Sequence, residues 1–286
     1  MASSMFSSME MAAPDAILGL NAAFNNDENP HKINLGVGVY KDETGITPIL
    51  ECVKQAERML MESENSKSYL GIDGLPEYAK LVRQTLFGRD VDVSPMVTLQ
   101  TPGGTGALRV AGDFLKSKVG ASRIWLSNPT WANHGAVFSA AGLVTDSYRY
   151  LGECGKALDF TGMMESIAAI PAGDVICLHA CCHNPTGVDP TVEQWSEIAA
   201  ACATGGVLPL IDFAYQGFAN GIREDAAALQ PFLSSGNEFM VCSSFSKNFG
   251  LYAERVGALT IVSQDSATAA VTLSHAKKAV RTNYSN

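Results

Sequence analysis

The sequence is poor in charged residues, and its charges are unbalanced. Only 17% of the 286 residues are Asp, Glu, Lys or Arg, and 20 basic residues against 29 acidic ones give a net charge of −9. A shortage of basic residues argues against a protein that binds by neutralising nucleic-acid phosphates or anionic lipids. A local cationic pocket for a small anion is compatible with this composition.

Long apolar runs are also missing. The longest stretch of small and apolar residues, 199–211, is interrupted by Gly205, Gly206 and Pro209, and it is shorter than the roughly 18 residues that a membrane span needs. The first fourteen residues contain neither Arg nor Lys, so they lack the basic region of a secretion signal and the Arg-rich face of a mitochondrial presequence. We therefore expect no transmembrane helix and a cytoplasmic location, with a mitochondrial one as the alternative.

Cysteines are few, odd in number and thinly spread, mostly within apolar runs. This distribution is typical of reduced core thiols and not of a disulfide framework, which predicts a reducing compartment. The seven positions are Cys52, Cys154, Cys177, Cys181, Cys182, Cys202 and Cys242.

The sequence does contain a steady alternation of apolar runs with segments of helical period. With 47% apolar residues it can bury a sizeable core, and the alternation is typical of an α/β domain with a mostly parallel sheet flanked by helices. Residues 1–48 show little strand signal and are assigned to an N-terminal segment and part of a small domain, and residues 49–286 to a large domain. The candidate strands are 97–100, 124–127, 143–150, 175–182, 207–211, 239–243 and 256–262.

Several helix ends can be read from single residues. Pro48 is expected in the first turn of one helix, and Pro76 begins another that stops at Gly88. Thr191 with Gln194 three positions later is the signature of a capping box.

The first candidate site is the glycine-rich stretch TPGGTG, 101–106, between a candidate strand and a helix with an apolar face. Glycines let backbone N–H groups approach an anion closely, and a helix N-terminus adds partial positive charge. The stretch lacks both the lysine of a P-loop and the spacing of a dinucleotide-binding motif. It predicts a phosphate cradle, with a purely structural turn as the alternative.

The second candidate is Lys247, in the segment SSFSKNFG, 243–250, directly after a candidate strand. Partial desolvation there would lower the lysine pKa from about 10.4 and favour the neutral amine that Schiff-base chemistry needs. The alternative is a loop lysine that reaches water.

The third candidate, Asp212 in DFAY, 212–215, also ends a candidate strand. Open α/β sheets place ligand-contacting groups there, and a carboxylate could hold a proton on a heteroaromatic nitrogen. The alternative is an aspartate that caps a helix.

The fourth candidate is the segment HACCHNPTG, 179–187. Its two His and two Cys suggest zinc, but strand alternation would split them between faces and no C-x-x-C spacing exists. We therefore predict no metal site. Asn184 is the better candidate, because the residue before a proline is held extended and its amide then points in a fixed direction.

Together, and in this order, these motifs resemble those of fold type I pyridoxal-phosphate enzymes, and among them the class I aspartate aminotransferase family. The likeness runs from Ala13 to Asn286. It is carried by LGVGVY (35–40), SYLGIDG (68–74), TPGGTGAL (101–108), SNPTWANH (127–134), HNPTG (183–187), DFAYQGF (212–218), SFSKNFGLYAERVG (244–257) and RTNYSN (281–286).

The resemblance implies the roles of the residues around the cofactor ring. Lys247 would form the Schiff base with pyridoxal 5'-phosphate and move the α-proton. Asp212 would keep the pyridine nitrogen protonated, supported by His134. Asn184 and Tyr215 would hydrogen-bond the phenolate oxygen of the ring.

The resemblance also implies how phosphate and substrate are held. Tyr69 would reach the phosphate of the neighbouring subunit, and Trp131 would stack on the ring. Gly38, Trp131 and Asn184 would contact the substrate, and Arg281 of the neighbour would pair with its distal carboxylate. The remaining cofactor-binding positions are Gly103, Gly104, Thr105, Ser244, Ser246 and Arg255.

The sequence departs from the family at two places. Ala253 stands where the family usually has Asn within LYNERVG. Family members also continue past the position of Asn286 with most of the small domain and the arginine for the substrate α-carboxylate, so relative to them the sequence is C-terminally truncated and its small domain incomplete.

The function that the resemblance implies is amino-group transfer between L-aspartate and 2-oxoglutarate by a homodimer with shared active sites. We expect small dicarboxylic amino acids and 2-oxo acids as substrates, and neither nucleic acid nor membrane as a partner. The alternatives are an aromatic-amino-acid aminotransferase, and a form that binds the cofactor and dimerises without turnover.

Overall fold

The structure, a computed structural model, describes residues 6–7, 9–13, 19–34, 36 and 38–286. Much of the segment 1–14, and two residues of LGVGVY, Leu35 and Val37, lie outside the described residues. The chain divides into two compact units, Met1–Pro48 and Ile49–Asn286. In the first unit, helix α1 (Leu20–Asn26) ends where Nζ of Lys32 donates to the carbonyl oxygens of Phe24 and Asp27, each at 2.6 Å.

The second unit is an α/β structure in which helices and strands alternate along most of its length. Its helices are α2 (Glu51–Ser63), α3 (Pro76–Phe87), α4 (Gly103–Phe114), α5 (His134–Ala140), α6 (Phe160–Ala168), α7 (Val192–Gly205), α8 (Ile222–Asp225), α9 (Gln230–Ser234) and α10 (Ser266–Arg281). Its strands are β1 (Met96–Pro102), β2 (Arg123–Asn128), β3 (Val144–Arg149), β4 (Val175–His179), β5 (Leu208–Phe213), β6 (Phe239–Ser244) and β7 (Val256–Val262). A π-helical turn, Leu115–Val119, extends α4, and a 3-10 turn, Ala226–Leu229, links α8 to α9.

The strands form one sheet in the order β1-β7-β6-β5-β4-β2-β3. Only β7 pairs antiparallel with its neighbours, and the other pairs are parallel, which confirms the mostly parallel sheet. The carboxyl ends of six strands therefore lie at one edge of the sheet. The amino end of β7 lies at the same edge, because Val256 pairs with Pro102 and Gly257 pairs with Ser244.

Helices cover both faces of the sheet. Every residue of β4 is buried, and its side chains alternate: Val175 and Cys177 join the apolar cluster on one face, Ile176 and Leu178 the cluster on the other. This alternation is that of a strand buried on both sides. Helices α4, α5 and α10 contribute to the first cluster, and α3, α6, α7 and α9 to the second.

All seven predicted strands are present, but β4 is shorter than predicted. It ends at His179 instead of at Cys182. The reason is a turn in which the backbone N–H groups of Cys182 and His183 donate to the carboxylate of Asp189, at 2.6 and 2.8 Å, and so leave the sheet. Burial in this run is therefore not a sign of strand pairing.

Helix ends agree with the sequence in two cases out of three. Pro76 occupies the first turn of α3, which ends at Gly88, and Thr191 and Gln194 form the predicted capping box of α7. Pro48 was wrongly placed, because α2 begins at Glu51.

The helices and the cysteines test two further expectations from the sequence. None of the helices in the described ranges is both long and apolar enough for a membrane crossing. All seven cysteines have free thiols, although Cys52 and Cys154 are exposed and so are not core residues.

Candidate active site

The candidate site lies at the edge of the sheet where β4, β5 and β6 end side by side. Asp212 near the end of β5 is paired with His179 of β4 and with Cys242 of β6. Lys247 lies three residues after Ser244, the last residue of β6. Because Asp212 belongs to a strand and α8 begins only at Ile222, its interpretation as a helix cap is wrong.

Asp212 is held by a buried histidine. Its Oδ2 lies 3.0 Å from Nε2 of His134, whose Nδ1 lies 2.8 Å from Oγ1 of Thr130. An ionised carboxylate only accepts hydrogen bonds, so Nε2 of His134 carries the proton that it donates to Asp212. Burial acts to raise the pKa of Asp212, but the interactions with His134, His179 and Lys247 outweigh it and lower that pKa. The carboxylate is therefore kept ionised inside the protein.

Lys247 is the amine of the site. Burial lowers its pKa, Asp212 opposes this effect and the charge of Arg255 adds to it. Its Nζ lies 4.7 Å from the centre of the Tyr215 ring. Burial raises the pKa of Tyr215, and the side chain of Asn184 acts to lower it. A lysine with a lowered pKa has a larger neutral fraction near pH 7 and is a better nucleophile.

The glycine-rich turn lies between β1 and α4, as predicted, and it faces a guanidinium group. Gly103 has φ +72° and begins α4 without a side-chain cap. A Cβ on Gly103 would collide with Arg255, and one on Gly104 would lie 3.0 Å from Cβ of Ser244. Nη1 of Arg255 donates to Oγ of Ser246 at 3.0 Å. Uncapped N–H groups beside a guanidinium form a site for an anion such as phosphate.

A row of four neighbouring rings, which begins beside Asp212, was not predicted from the sequence. Ring centres lie 5.1 Å apart for His134 and His179, 4.3 Å for His179 and His183, and 3.8 Å for His183 and Tyr150. Burial lowers the pKa of His179 to about 4 and that of His183 to about 3, so both are neutral at pH 7. Nothing in the sequence indicated that the turn after β4 would bring His183 back beside His179.

One group of side chains has the spacing of metal ligands. One atom each from His134, His179 and Asp212 lie within 4.8 Å of one another, whereas Cys181 and Cys182 are not part of this group. The hydrogen bond between His134 and Asp212 already uses two of the atoms that could bind a metal.

Some predicted site residues are not brought together in the described chain. Tyr69 is 97% exposed, and Arg281 is exposed with Nη1 donating to Oγ of Ser285 at 2.7 Å. Gly38 belongs to the first unit. Trp131, in contrast, lies beside His134 with ring centres 5.2 Å apart.

Comparison with known proteins gives a consistent result. The family described as aminotransferase class I and II matches residues 30–286. An aspartate aminotransferase from Escherichia coli K12 is 52% identical over 285 residues, covering 99% of this chain and 72% of that protein. One from Haemophilus influenzae is 50% identical with the same coverage. An aromatic-amino-acid aminotransferase from Burkholderia pseudomallei, in a crystal structure covalently bound to pyridoxal phosphate, is 43% identical with a TM-score of 0.95, again over 99% and 72% of the two chains.

Proposed function

Because the chain belongs to the aminotransferase class I and II family, we propose that it transfers the amino group between L-aspartate and 2-oxoglutarate, giving oxaloacetate and L-glutamate, with pyridoxal 5'-phosphate as its cofactor. One observation carries the proposal. The amine of Lys247 interacts electrostatically with both the carboxylate of Asp212 and the guanidinium of Arg255, where β5 and β6 end side by side.

The donor groups of the site fit this cofactor. The uncapped start of α4 and Arg255 suit a phosphate dianion, and a Cβ on Gly103 would fill the space between them. Thr105, Ser244 and Ser246 would add hydroxyl groups around the same anion. The ionised carboxylate of Asp212 suits a protonated ring nitrogen, and the ring of Trp131 offers a stacking surface.

Each polar side chain has a distinct task in this proposal. When bound, pyridoxal phosphate supplies an aldehyde that joins amines covalently and a ring that withdraws electrons from them. Nζ of Lys247 would take the proton from the substrate Cα, which its lowered pKa favours. Asp212 would hold a proton on the ring nitrogen, and Asn184 with Tyr215 would orient the phenolate oxygen.

The exposed predicted residues suggest a partner subunit. We propose a homodimer in which Tyr69 and Arg281 reach the neighbouring site, because their exposure leaves both side chains available to another chain. Residues 49–286 would be the large, cofactor-binding domain, and residues 1–48 an N-terminal segment and part of a small domain whose Gly38 contacts substrate. A cytoplasmic location completes the proposal.

A second candidate function is transamination of aromatic amino acids. It is favoured by the aromatic-amino-acid aminotransferase at a TM-score of 0.95. Comparing kcat/KM for aspartate and phenylalanine decides between the two. With Arg281→Leu, we expect kcat/KM for aspartate to fall roughly thirtyfold or more, because the distal carboxylate loses its cation, with a smaller effect on phenylalanine.

Trapping of the cofactor tests the proposal directly. The chain is incubated with pyridoxal phosphate, reduced with borohydride and mapped by peptide mass spectrometry, with Lys247→Ala as the control. We expect the label on Lys247 and transamination by the unreduced protein. A folded protein that remains unlabelled at Lys247 overturns the cofactor assignment. Labelling without transamination indicates a form that binds the cofactor and does not turn over.

A further inference from the structure

Asp225 is a buried carboxylate that organises a turn outside the contacts proposed above. It is 4% exposed at the end of α8. Its Oδ2 accepts from the backbone N–H groups of Gly217 and Ala219, at 2.8 and 3.1 Å, and Oδ1 from that of Asn220 at 2.8 Å. None of the ion pairs found in the described ranges includes it. Because a buried carboxylate needs such donors, the turn is folded around it.

This turn directly follows Tyr215. The backbone N–H of Phe218 donates to the carbonyl oxygen of Tyr215 at 3.0 Å. Between them, the buried side chain of Gln216 donates to the carbonyl oxygens of Thr85 and Ile222 at 3.0 and 2.8 Å. The position of the Tyr215 backbone is thus fixed by the turn that Asp225 holds.

A thiol connects this turn to the one that carries Asn184. Sγ of Cys181 lies 3.4 Å from the carbonyl oxygen of Tyr215 and 3.7 Å from Oδ2 of Asp225. Cys181 directly precedes the turn in which Asp189 accepts two backbone N–H groups. Two carboxylates and one buried thiol therefore link the turns that carry Tyr215 and Asn184.

We propose that Asp225 is a positioning residue: with the thiol of Cys181, its carboxylate fixes the turn after β5 and so holds the hydroxyl of Tyr215 at the phenolate oxygen of the cofactor. This inference rests on the proposed function, in which Tyr215 contacts that oxygen. A hydrogen bond to a phenolate stabilises its ionised form. Displacement of Tyr215 would consequently raise the pH at which the chromophore of the holoenzyme loses its proton.

The test is Asp225→Asn in the holoenzyme. An amide cannot accept at both positions, so at least one backbone N–H of the turn loses its acceptor. We expect the midpoint of the spectroscopic pH titration to rise by about one pH unit, and kcat to fall roughly ten- to a hundredfold. In a variant that already carries Tyr215→Phe, adding Asp225→Asn should change neither the titration midpoint nor kcat further, because no hydroxyl remains at position 215 to be held in place.

Asp174→Asn is the matched control. Asp174 is also buried, at 8% exposure, and accepts from Nε1 of Trp125 at 2.9 Å, but it lies at the opposite end of β4. Its substitution should lower Tm and leave the spectroscopic midpoint unchanged. If Asp225→Asn does not fold, Cys181→Ala replaces it in the same cycle, with a smaller shift in the same direction expected.

The outcomes separate the two proposals. An unchanged midpoint in folded Asp225→Asn, or in Cys181→Ala where it takes its place, overturns the positioning role, and so does an effect fully additive with Tyr215→Phe. If the unsubstituted chain forms no chromophore on Lys247 with pyridoxal phosphate, the proposed function fails and the positioning role fails with it.

Discussion

Nε2 of His134 lies 3.0 Å from Oδ2 of Asp212, between residues 78 positions apart in the sequence. His134 is fully buried and the Asp212 side chain is 11% exposed. In such surroundings the hydrogen bond stabilises the ionised carboxylate more than it would in water. The ionised state of Asp212, on strand β5, therefore depends on a side chain of helix α5.

Replacing His134 should weaken catalysis through Asp212. In His134→Leu the carboxylate loses its donor, so its pKa rises and the acid limb of the kcat/KM profile moves to higher pH. We expect kcat/KM at neutral pH to fall roughly three- to tenfold. His134→Gln, whose amide can still donate, should retain most activity. Equal losses in both variants would show that ring packing, and not the hydrogen bond, is what matters.

His179 should make stability depend on pH. Its pKa is lowered to about 4 from 6.5, so between these values the unfolded chain binds more protons than the folded one. The contribution of the neutral His179 side chain to the free energy of unfolding is complete above pH 6.5. It is lost as the pH falls to 4, which lowers the free energy of unfolding by roughly 3 kcal/mol. Urea unfolding at several pH values should give a flatter dependence for His179→Asn, and an unchanged one for His31→Asn, which alters an exposed histidine. Parallel curves for His179→Asn and the unsubstituted chain would contradict this role.

Gly103→Ala should weaken the binding of pyridoxal phosphate more than a substitution that causes the same backbone strain elsewhere in the chain. Its new Cβ would displace Arg255, and we expect pyridoxal phosphate to bind roughly ten- to a hundredfold more weakly. Gly120→Ala is the control, because Gly120 has φ +82° and no atom within 4 Å of an added Cβ. Both substitutions should cost roughly 1 kcal/mol of folding free energy. Equal cofactor affinities in the two variants would argue against a phosphate site at Gly103.

Thr191→Ala should affect stability alone. Oγ1 of Thr191 accepts from the backbone N–H of Gln194, and Oε1 of Gln194 accepts from that of Thr191. We expect a loss of about 1 kcal/mol, seen as a Tm lower by roughly 2–4 °C, with kcat unchanged. Ser196→Ala, on an exposed part of the same helix, should change stability by less than about 0.5 kcal/mol. A fall in kcat for Thr191→Ala would show that α7 influences the site.

Local chemistry made several elements predictable. The position of β7 follows from its run of apolar side chains. Helix α3 begins at Pro76 because proline has no backbone N–H to donate, and the hydroxyl of Thr191 caps α7 within three residues. The end of β4 could not be predicted in this way, because the apolar run continues to Cys182, whereas the backbone N–H groups of Cys182 and His183 bind the carboxylate of Asp189.

Two residues that meet at the candidate site could be singled out from the sequence, but the contacts that support the site could not. Lys247 and Asp212 could be singled out, because each follows or ends an apolar strand. The support of Tyr215 by Asp225 and Cys181 could not, since no local pattern distinguishes a carboxylate that organises a turn from one that faces water.

The amino-acid sequence by itself determined which segments become strands, where the glycine turn lies and which side chains are candidates for the chemistry, because steric preference and apolar spacing act over short distances along the chain. Only the tertiary structure decided which of these groups meet. β7 pairs antiparallel between β1 and β6, and this pairing brings Arg255 to Gly103. Such contacts depend on burying both faces of the sheet at once, a property of the folded whole that no short segment contains.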